Sequence, residues 1–274
     1  MAGELVLLKR TEIAAINSSD PRVEALMYNI RIAGGISESD LVQVKNPSGG
    51  ALAFEVAAAG KKPEYLTEII GIPLTIQPKR TLWADKSIGS GERPVCSSND
   101  LVRGKLRVDD NKQLDIPDTI LSIAMPGAGE GKCANCHFNQ WDTAIDAKGK
   151  PTKGKRCSES RVVYLLRLGD VLPMKITIPS GSIGTFNAAV KQFPVRTDQC
   201  VMKLSLSKEK STSGVDFAQY RVEFVSGLEP DAIASLQEYG ELLASVFENS
   251  QVDPPSPPQG KGDLTPPIDG EDAF

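Results

Sequence analysis

The chain has one histidine, His137, among 274 residues. A single imidazole excludes an HExxH zinc site and any multi-histidine metal centre. Long apolar runs are missing as well. No stretch approaches the ~20 residues that a helix needs to cross a bilayer. Met1–Val6 lacks the basic start and long apolar core of a signal peptide, so no membrane contact and a cytoplasmic location are expected. Aromatic residues make up only 5% of the chain, too few for a long track of stacked rings. A P-loop is absent too. Gly127-Ala128-Gly129-Glu130-Gly131-Lys132 leads into Cys133 where Ser or Thr is required, without the flanking apolar strand and helix. These absences argue against an enzyme, although a carboxylate-metal nuclease has no spacing rule by which to judge it.

An excess of either charge is missing from most of the chain. The segment Gln251–Phe274 carries five acids against Lys261, and the remainder is neutral with 30 basic and 30 acidic residues. A neutral body does not by itself point to nucleic acid, so any such site has to come from local clustering.

Five cysteines in a reducing compartment suggest metal or core positions before disulfides. Cys133-Ala134-Asn135-Cys136 is a CxxC knuckle, whose spacing lets two thiolates face one ion. Cys96 precedes it with 36 residues between, and Cys157 follows with 20 residues between. These four supply the tetrahedral sulfur set that structural Zn²⁺ prefers, in the least regular part of the chain. Two other readings compete. Cys133–His137 also matches the CxxCH haem attachment motif, and a CxxC can be a thioredoxin-like redox pair. His137 is either a ligand or a neighbour of the knuckle. Cys200, ahead of Val201-Met202-Lys203-Leu204, reads as a buried strand residue.

The clearest elements lie in the second half. Arg161–Leu168, a Gly169-Asp170 turn and Leu172–Ile178 predict a β-hairpin. Apolar residues at 183, 186, 189, 190 and 193 predict a helix, with Ser182 as N-cap and Pro194 as stop. Strands follow at Cys200–Ser207 and Tyr220–Val225, then a helix over about Pro230–Glu248. Earlier, Asn46–Gly50 is a turn signal before a strand candidate at Ala51–Val56. Ile69–Ile76 is extended, and its prolines predict an edge or bulged strand. Three parts are expected: an N-terminal extension over 1–66, a β-barrel core over 67–249 with a zinc-binding insertion at about 94–160, and a tail over 250–274. The fold class is thus mainly β with one or two short helices.

The tail is dense in Pro, Gly and Asp, so it cannot offset the ~1–2 kcal/mol per residue that ordering the backbone costs. A disordered tether is expected. It ends in Asp269-Gly270-Glu271-Asp272-Ala273-Phe274, which resembles the acidic, Phe-terminated tip of bacterial and phage single-stranded DNA-binding proteins. A second resemblance runs loosely from about residue 40 to 230. Its residues are Cys133-x-x-Cys136, Phe138-Asn139-Gln140-Trp141, Gly149-Lys150, Gly154-Lys155-Arg156-Cys157, Arg161 and Val163–Leu166, with Pro47–Gly50 and Ile178–Ser182. The pattern is similar to a family of phage-encoded single-stranded DNA-binding replication proteins. The resemblance favours an OB-like barrel and adds no catalytic residue.

Single strands are held by cations along the backbone and aromatics under the bases. Lys150, Lys153, Lys155, Arg156 and Arg161, with Lys148, crowd 14 residues against one acid, Glu159, between Trp141 and Tyr164. Lys79, Arg80 and Trp83 form a second group with Lys86. The expectation is a sequence-nonspecific single-stranded DNA-binding protein of replication or recombination. Its tip (Asp269, Glu271, Asp272, Phe274) recruits replication and recombination enzymes. The alternative is a zinc-ribbon accessory protein working by protein–protein contacts in transcription or replication. Oligomeric state stays open, a homo-oligomer included.

Overall fold

The computed structural model describes residues 7–8, 20–38, 40–47, 50–58, 62–83, 94, 96–106, 130–145, 151–210, 214 and 216–249. The chain is mainly β, and its principal sheet curls into a half-barrel. The tail over 250–274 lies outside the described residues.

The axis of the sheet is β5 (Glu68–Leu82), a 15-residue strand. One edge pairs antiparallel along its length with β11 (Ser158–Arg167). The other edge is shared. Glu68–Gly71 pairs with β13 (Cys200–Lys210), and Arg80–Leu82 pairs with β6 (Cys96–Ser98). No strand among the described residues pairs with the stretch between on that edge, where Pro73 and Pro78 sit. Proline has no N–H for a ladder, and the register against β11 shifts beside Pro73. The bulge predicted from the prolines is present, but β5 is central in strand order, not an edge strand. The prolines are tolerated where one side lacks a partner strand.

From β11 the sheet continues through β12 (Met174–Ile178), β2 (Gln43–Lys45), β3 (Phe54–Ala57) and β4 (Glu64–Leu66). From β13 it continues through β14 (Asp216–Leu228) to β1 (Leu7–Leu8). The predicted hairpin is β11–β12, turned at Gly169 with a φ of +90°. The predicted pair after residue 200 is β13–β14; β13 starts at Cys200 as expected and runs on to Lys210, and β14 extends further at both ends. Residues 1–66 are not an extension beside the core. They supply β1 to β4, which occupy both ends of the same sheet.

Three α-helices are described, more than the one or two short ones expected: α1 (Pro21–Ile32), α2 (Ser180–Val190) and α3 (Pro230–Asn249). α1 was not predicted, although its start is well signalled. Asp20 accepts the Arg22 N–H at 2.8 Å, Pro21 follows it, and Gly34 and Gly35 end the helix at positive φ. Its apolar pattern is faint, with Val23 and Ile30 its buried residues. α3 has the opposite character. Ala232, Leu236, Tyr239 and Leu243 are buried at helical spacing, and Tyr239 Oη donates to the Val171 carbonyl.

These helices cover both faces of the sheet. On one face, Val163, Leu165, Ile176, Leu204, Tyr220 and Phe54 pack with Phe186 of α2. On the opposite face, Leu166, Ile72 and Val201 pack with α3, while Val162 and Tyr164 pack with Ile30 of α1. Ser182 is not the N-cap of α2. The cap position is Pro179, and Ser182 sits fully buried in the first turn, where its Oγ accepts the Tyr220 N–H at 3.1 Å. Cys200 is fully buried at the start of β13, as expected of a core strand residue.

Gly71 marks the tightest approach in the sheet. A Cβ there would come within 2.5 Å of the Leu166 carbonyl oxygen and would also meet Leu165 Cδ2. Gly71→Ala is therefore expected to destabilise the fold by about 1–3 kcal/mol, the usual cost of overpacking, measured as a lower urea midpoint at unchanged m.

Candidate metal and nucleic-acid site

The four cysteines predicted to act together line one pocket at the far end of β5. Strand pairing places the outer two. Cys96 opens β6 directly opposite Leu82 of β5. On the other edge of β5, Ser158 pairs with Thr81, and continuing that register by one residue sets Cys157 opposite Leu82 as well. Directly paired residues point to the same face of a sheet. Two cysteines 61 positions apart thus flank one buried leucine.

The knuckle arrives by a second route. β6 pairs with β7 (Arg103–Leu106), which pairs with β8 (Glu130–Lys132). Cys133 directly follows β8, and its N–H donates to the Val102 carbonyl at 2.9 Å. Lys132 therefore belongs to a strand, while 127–129 of the P-loop look-alike lie outside the described residues. Two 3-10 turns follow, Cys133–Asn135 and His137–Asn139. An α-helix does not follow the CxxC, in contrast to the strand–knuckle–helix setting of a redox pair. Asn139 is buried and ties the turns together, its Nδ2 donating to the Cys133 carbonyl at 2.9 Å. The Cys157 N–H donates to the Phe138 carbonyl at 2.8 Å. The loop between Cys136 and Cys157 is thus closed at its base by backbone.

Burial pushes the Cys96 thiol up to about 12, and the neighbouring Cys157, Cys133 and Cys136 add to it. Burial likewise pushes Cys157 up to about 11, reinforced by Cys136 and Cys133 and opposed by Arg80. Such thiols lie close enough to repel one another as thiolates. A divalent cation would relieve the repulsion, and four sulfurs match the donor set of structural zinc. No three His, Cys, Asp or Glu side chains among the described residues stand at ligating distance; the thiols line the walls of the shared pocket. His137 does not line it. Its side chain is exposed, with its ring edge-on to Phe138 at 5.4 Å.

The Cys136–Cys157 loop carries the first predicted nucleic-acid group. Trp141 is 70% exposed, beside Asp142 at a φ of +64°. Asp tolerates this left-handed turn better than most residues. Lys155 Nζ lies over the Trp141 ring at 5.1 Å, and its ammonium also donates to Asn139 Oδ1 at 3.3 Å. The Arg156 guanidinium lies over the buried Phe138 ring at 5.7 Å, and the Arg156 N–H donates to Thr143 Oγ1. Lys153 is exposed in the same loop. Lys148 and Lys150 lie outside the described residues.

The remaining candidates are placed differently. Trp83 is 41% exposed just past the end of β5. Arg80 and Arg161 both bind Glu159, at 3.0 and 2.9 Å, and each is largely covered. Lys79 pairs with Glu38 at 3.7 Å. Tyr164 is not available to a base. Its ring is buried under α1, and its hydroxyl donates to Glu38 Oε1 at 2.6 Å. Burial and that carboxylate push its phenol well above the ordinary range.

No family model, no curated protein and no solved structure matches the chain. No helix among the described residues is long and apolar enough to cross a membrane.

Glu38 is a charged hub on the other face of the sheet, beside Tyr164 and α1. Partial burial raises its pKa, but hydrogen bonds from Lys175 and Tyr164, with the Lys175 and Lys79 charges, outweigh this and bring it to about 2. A carboxyl depressed below its unfolded value stabilises the fold above that value, and the contribution is lost as pH falls through the folded one. Wild-type stability is therefore expected to fall between about pH 4.5 and 2, and Glu38→Gln to flatten this part of the curve. The comparison is made by urea unfolding at each pH, as a difference, so that acid effects common to both proteins cancel.

Proposed function

We propose that the protein binds single-stranded DNA without sequence preference, through a platform that a structural zinc ion holds at the end of the sheet. The observation that carries this reading is the placement of Trp141: 70% exposed, under the Lys155 ammonium, on a loop whose two ends are cysteines of one pocket. An exposed indole with cations beside it is the combination that grips an unpaired strand, since each base has a face to stack and each phosphate a charge to neutralise. With both sheet faces covered by helices, this end of the molecule is the most suitable for a strand to cross, with Trp83 and Lys153 extending the surface.

Cys96, Cys133, Cys136 and Cys157 would hold the zinc. When bound, it supplies no chemistry beyond fixing the fold of this end, where a short three-stranded branch and two 3-10 turns have little apolar core. The half-barrel is read as an OB-like barrel, and the cysteine segment as an insertion between its neighbouring strands β5 and β11. The acidic tip, Asp269 to Phe274, is read as the docking peptide for replication and recombination enzymes. The resemblance to phage-encoded replication proteins points the same way, to action in the cytoplasm of a bacterial host.

Fluorescence anisotropy with a labelled oligo-dT 30-mer, against the same strand in duplex, tests this. Tight binding to the single strand, weakening with salt by about 0.7 in log–log slope per phosphate neutralised, is expected. Trp141→Ala is expected to weaken it about 5- to 150-fold, the loss of one stacked base. Removing 264–274 leaves affinity equal or higher. No binding at low salt would move the protein to the zinc-ribbon accessory class.

A further inference from the structure

Arg80 was expected to hold DNA, but its geometry gives it another task. It lines the cysteine pocket, and its side chain is 14% exposed. Its Nη2 donates to Glu159 Oε2 at 3.0 Å, and Glu159 is fixed from the other side by Arg161 at 2.9 Å. Its Nε–H, by contrast, is buried without an acceptor among the described residues. An unmet buried donor destabilises a fold, and a charged one more so, so the position needs a reason.

Register supplies one. Arg80 pairs with Ser98 on β6 and Glu159 on β11, two rows before the row in which Leu82 faces Cys96 and, by continuation, Cys157. Residues two apart on a strand share a face. Arg80 therefore projects on the same face as Leu82 and the two outer cysteines, one step along β5. The acceptors this pocket offers are sulfurs. Four thiolates around a divalent cation leave a net charge of −2, which favours a fixed guanidinium at its edge.

We propose that Arg80 is the positioning residue of the metal centre. Its Nε–H donates to a metal-bound thiolate, with the outer cysteines Cys96 and Cys157 the candidates by register, and its charge offsets part of the excess negative charge, while Glu159 and Arg161 hold the guanidinium in plane. The assignment rests on the zinc reading above. It takes Arg80 out of the phosphate-binding set and makes the Arg80–Glu159–Arg161 chain a support of the centre.

The test is a Co²⁺ titration of the full chain, followed by the thiolate-to-cobalt charge-transfer bands, with zinc competition to obtain affinities. Wild type is expected to take up one metal. Arg80→Gln is expected to bind it about 10- to 100-fold more weakly, the usual effect of removing such an outer partner, with shifted charge-transfer bands. Arg80→Lys keeps the charge without the fork and is expected to recover part of the affinity. Glu159→Gln frees the guanidinium and is expected to show a smaller loss in the same direction. If Arg80→Gln does not fold, the Lys and Glu159 variants decide the matter by the same bands. Wild-type affinity and bands in these variants would overturn the assignment. The same result accompanied by a DNA salt slope reduced by about 0.7 would make Arg80 a phosphate contact instead. A wild-type chain that takes up neither Co²⁺ nor Zn²⁺ would remove the zinc reading itself, a separate and distinguishable failure.

Discussion

The end of the molecule where four cysteines line one pocket hangs on the row of the sheet where Leu82 pairs with Cys96 and, by continuation of the register, with Cys157. A thiol at each edge of one strand is a demanding arrangement, because both groups resist ionisation through burial and Cys157 adds to that of Cys96. β5 can support it only because it is long enough to serve two neighbours on one edge, β13 near its start and β6 near its end. The prolines between those neighbours leave the edge without a ladder there. The half-barrel and the cysteine branch are thus joined through a single continuous strand, and the geometry of the branch is inherited from the core.

Electrostatics separate structural cations from those that could face a ligand. The body of the chain is neutral, and several cations counted as DNA candidates are partnered by carboxylates: Lys79 by Glu38, and Arg80 and Arg161 by Glu159. One acid among six cations looked negligible by count. In space Glu159 holds one of them, Arg161 on its own strand face, and also Arg80, with which it pairs across. Lys155 and Arg156 lie instead over aromatic rings in the loop between Cys136 and Cys157, the segment on which the nucleic-acid reading concentrates.

Much of this was legible in the chain. The CxxC knuckle is a local pattern, and the two outer cysteines followed from their number and from the weak core around them. Hairpin β11–β12, α2 and α3 were readable because their apolar residues repeat with a clear period. α1 escaped because only Val23 and Ile30 of its twelve residues are buried, so its period is faint. Its Asp20-Pro21 start and Gly34-Gly35 end were the signals to use. Ser182 looked like a cap because caps and buried first-turn hydroxyls share a residue type; only the partner, the Tyr220 N–H, tells them apart. Tyr164 was misplaced for a similar reason. Alternation says which face a strand residue takes, whereas the helix that covers that face is set by residues more than a hundred positions away. The β1 to β4 additions are likewise non-local, since parallel pairing of β2 with β12 leaves no signature in either segment.

The central claim is that four cysteines of this chain share one tetrahedral metal. Zinc K-edge X-ray absorption on the purified full chain tests it most directly. One zinc per chain with four sulfur neighbours at about 2.3 Å is the predicted result. A shell that requires nitrogen or oxygen in place of a sulfur, or protein that carries no stoichiometric zinc, would contradict it.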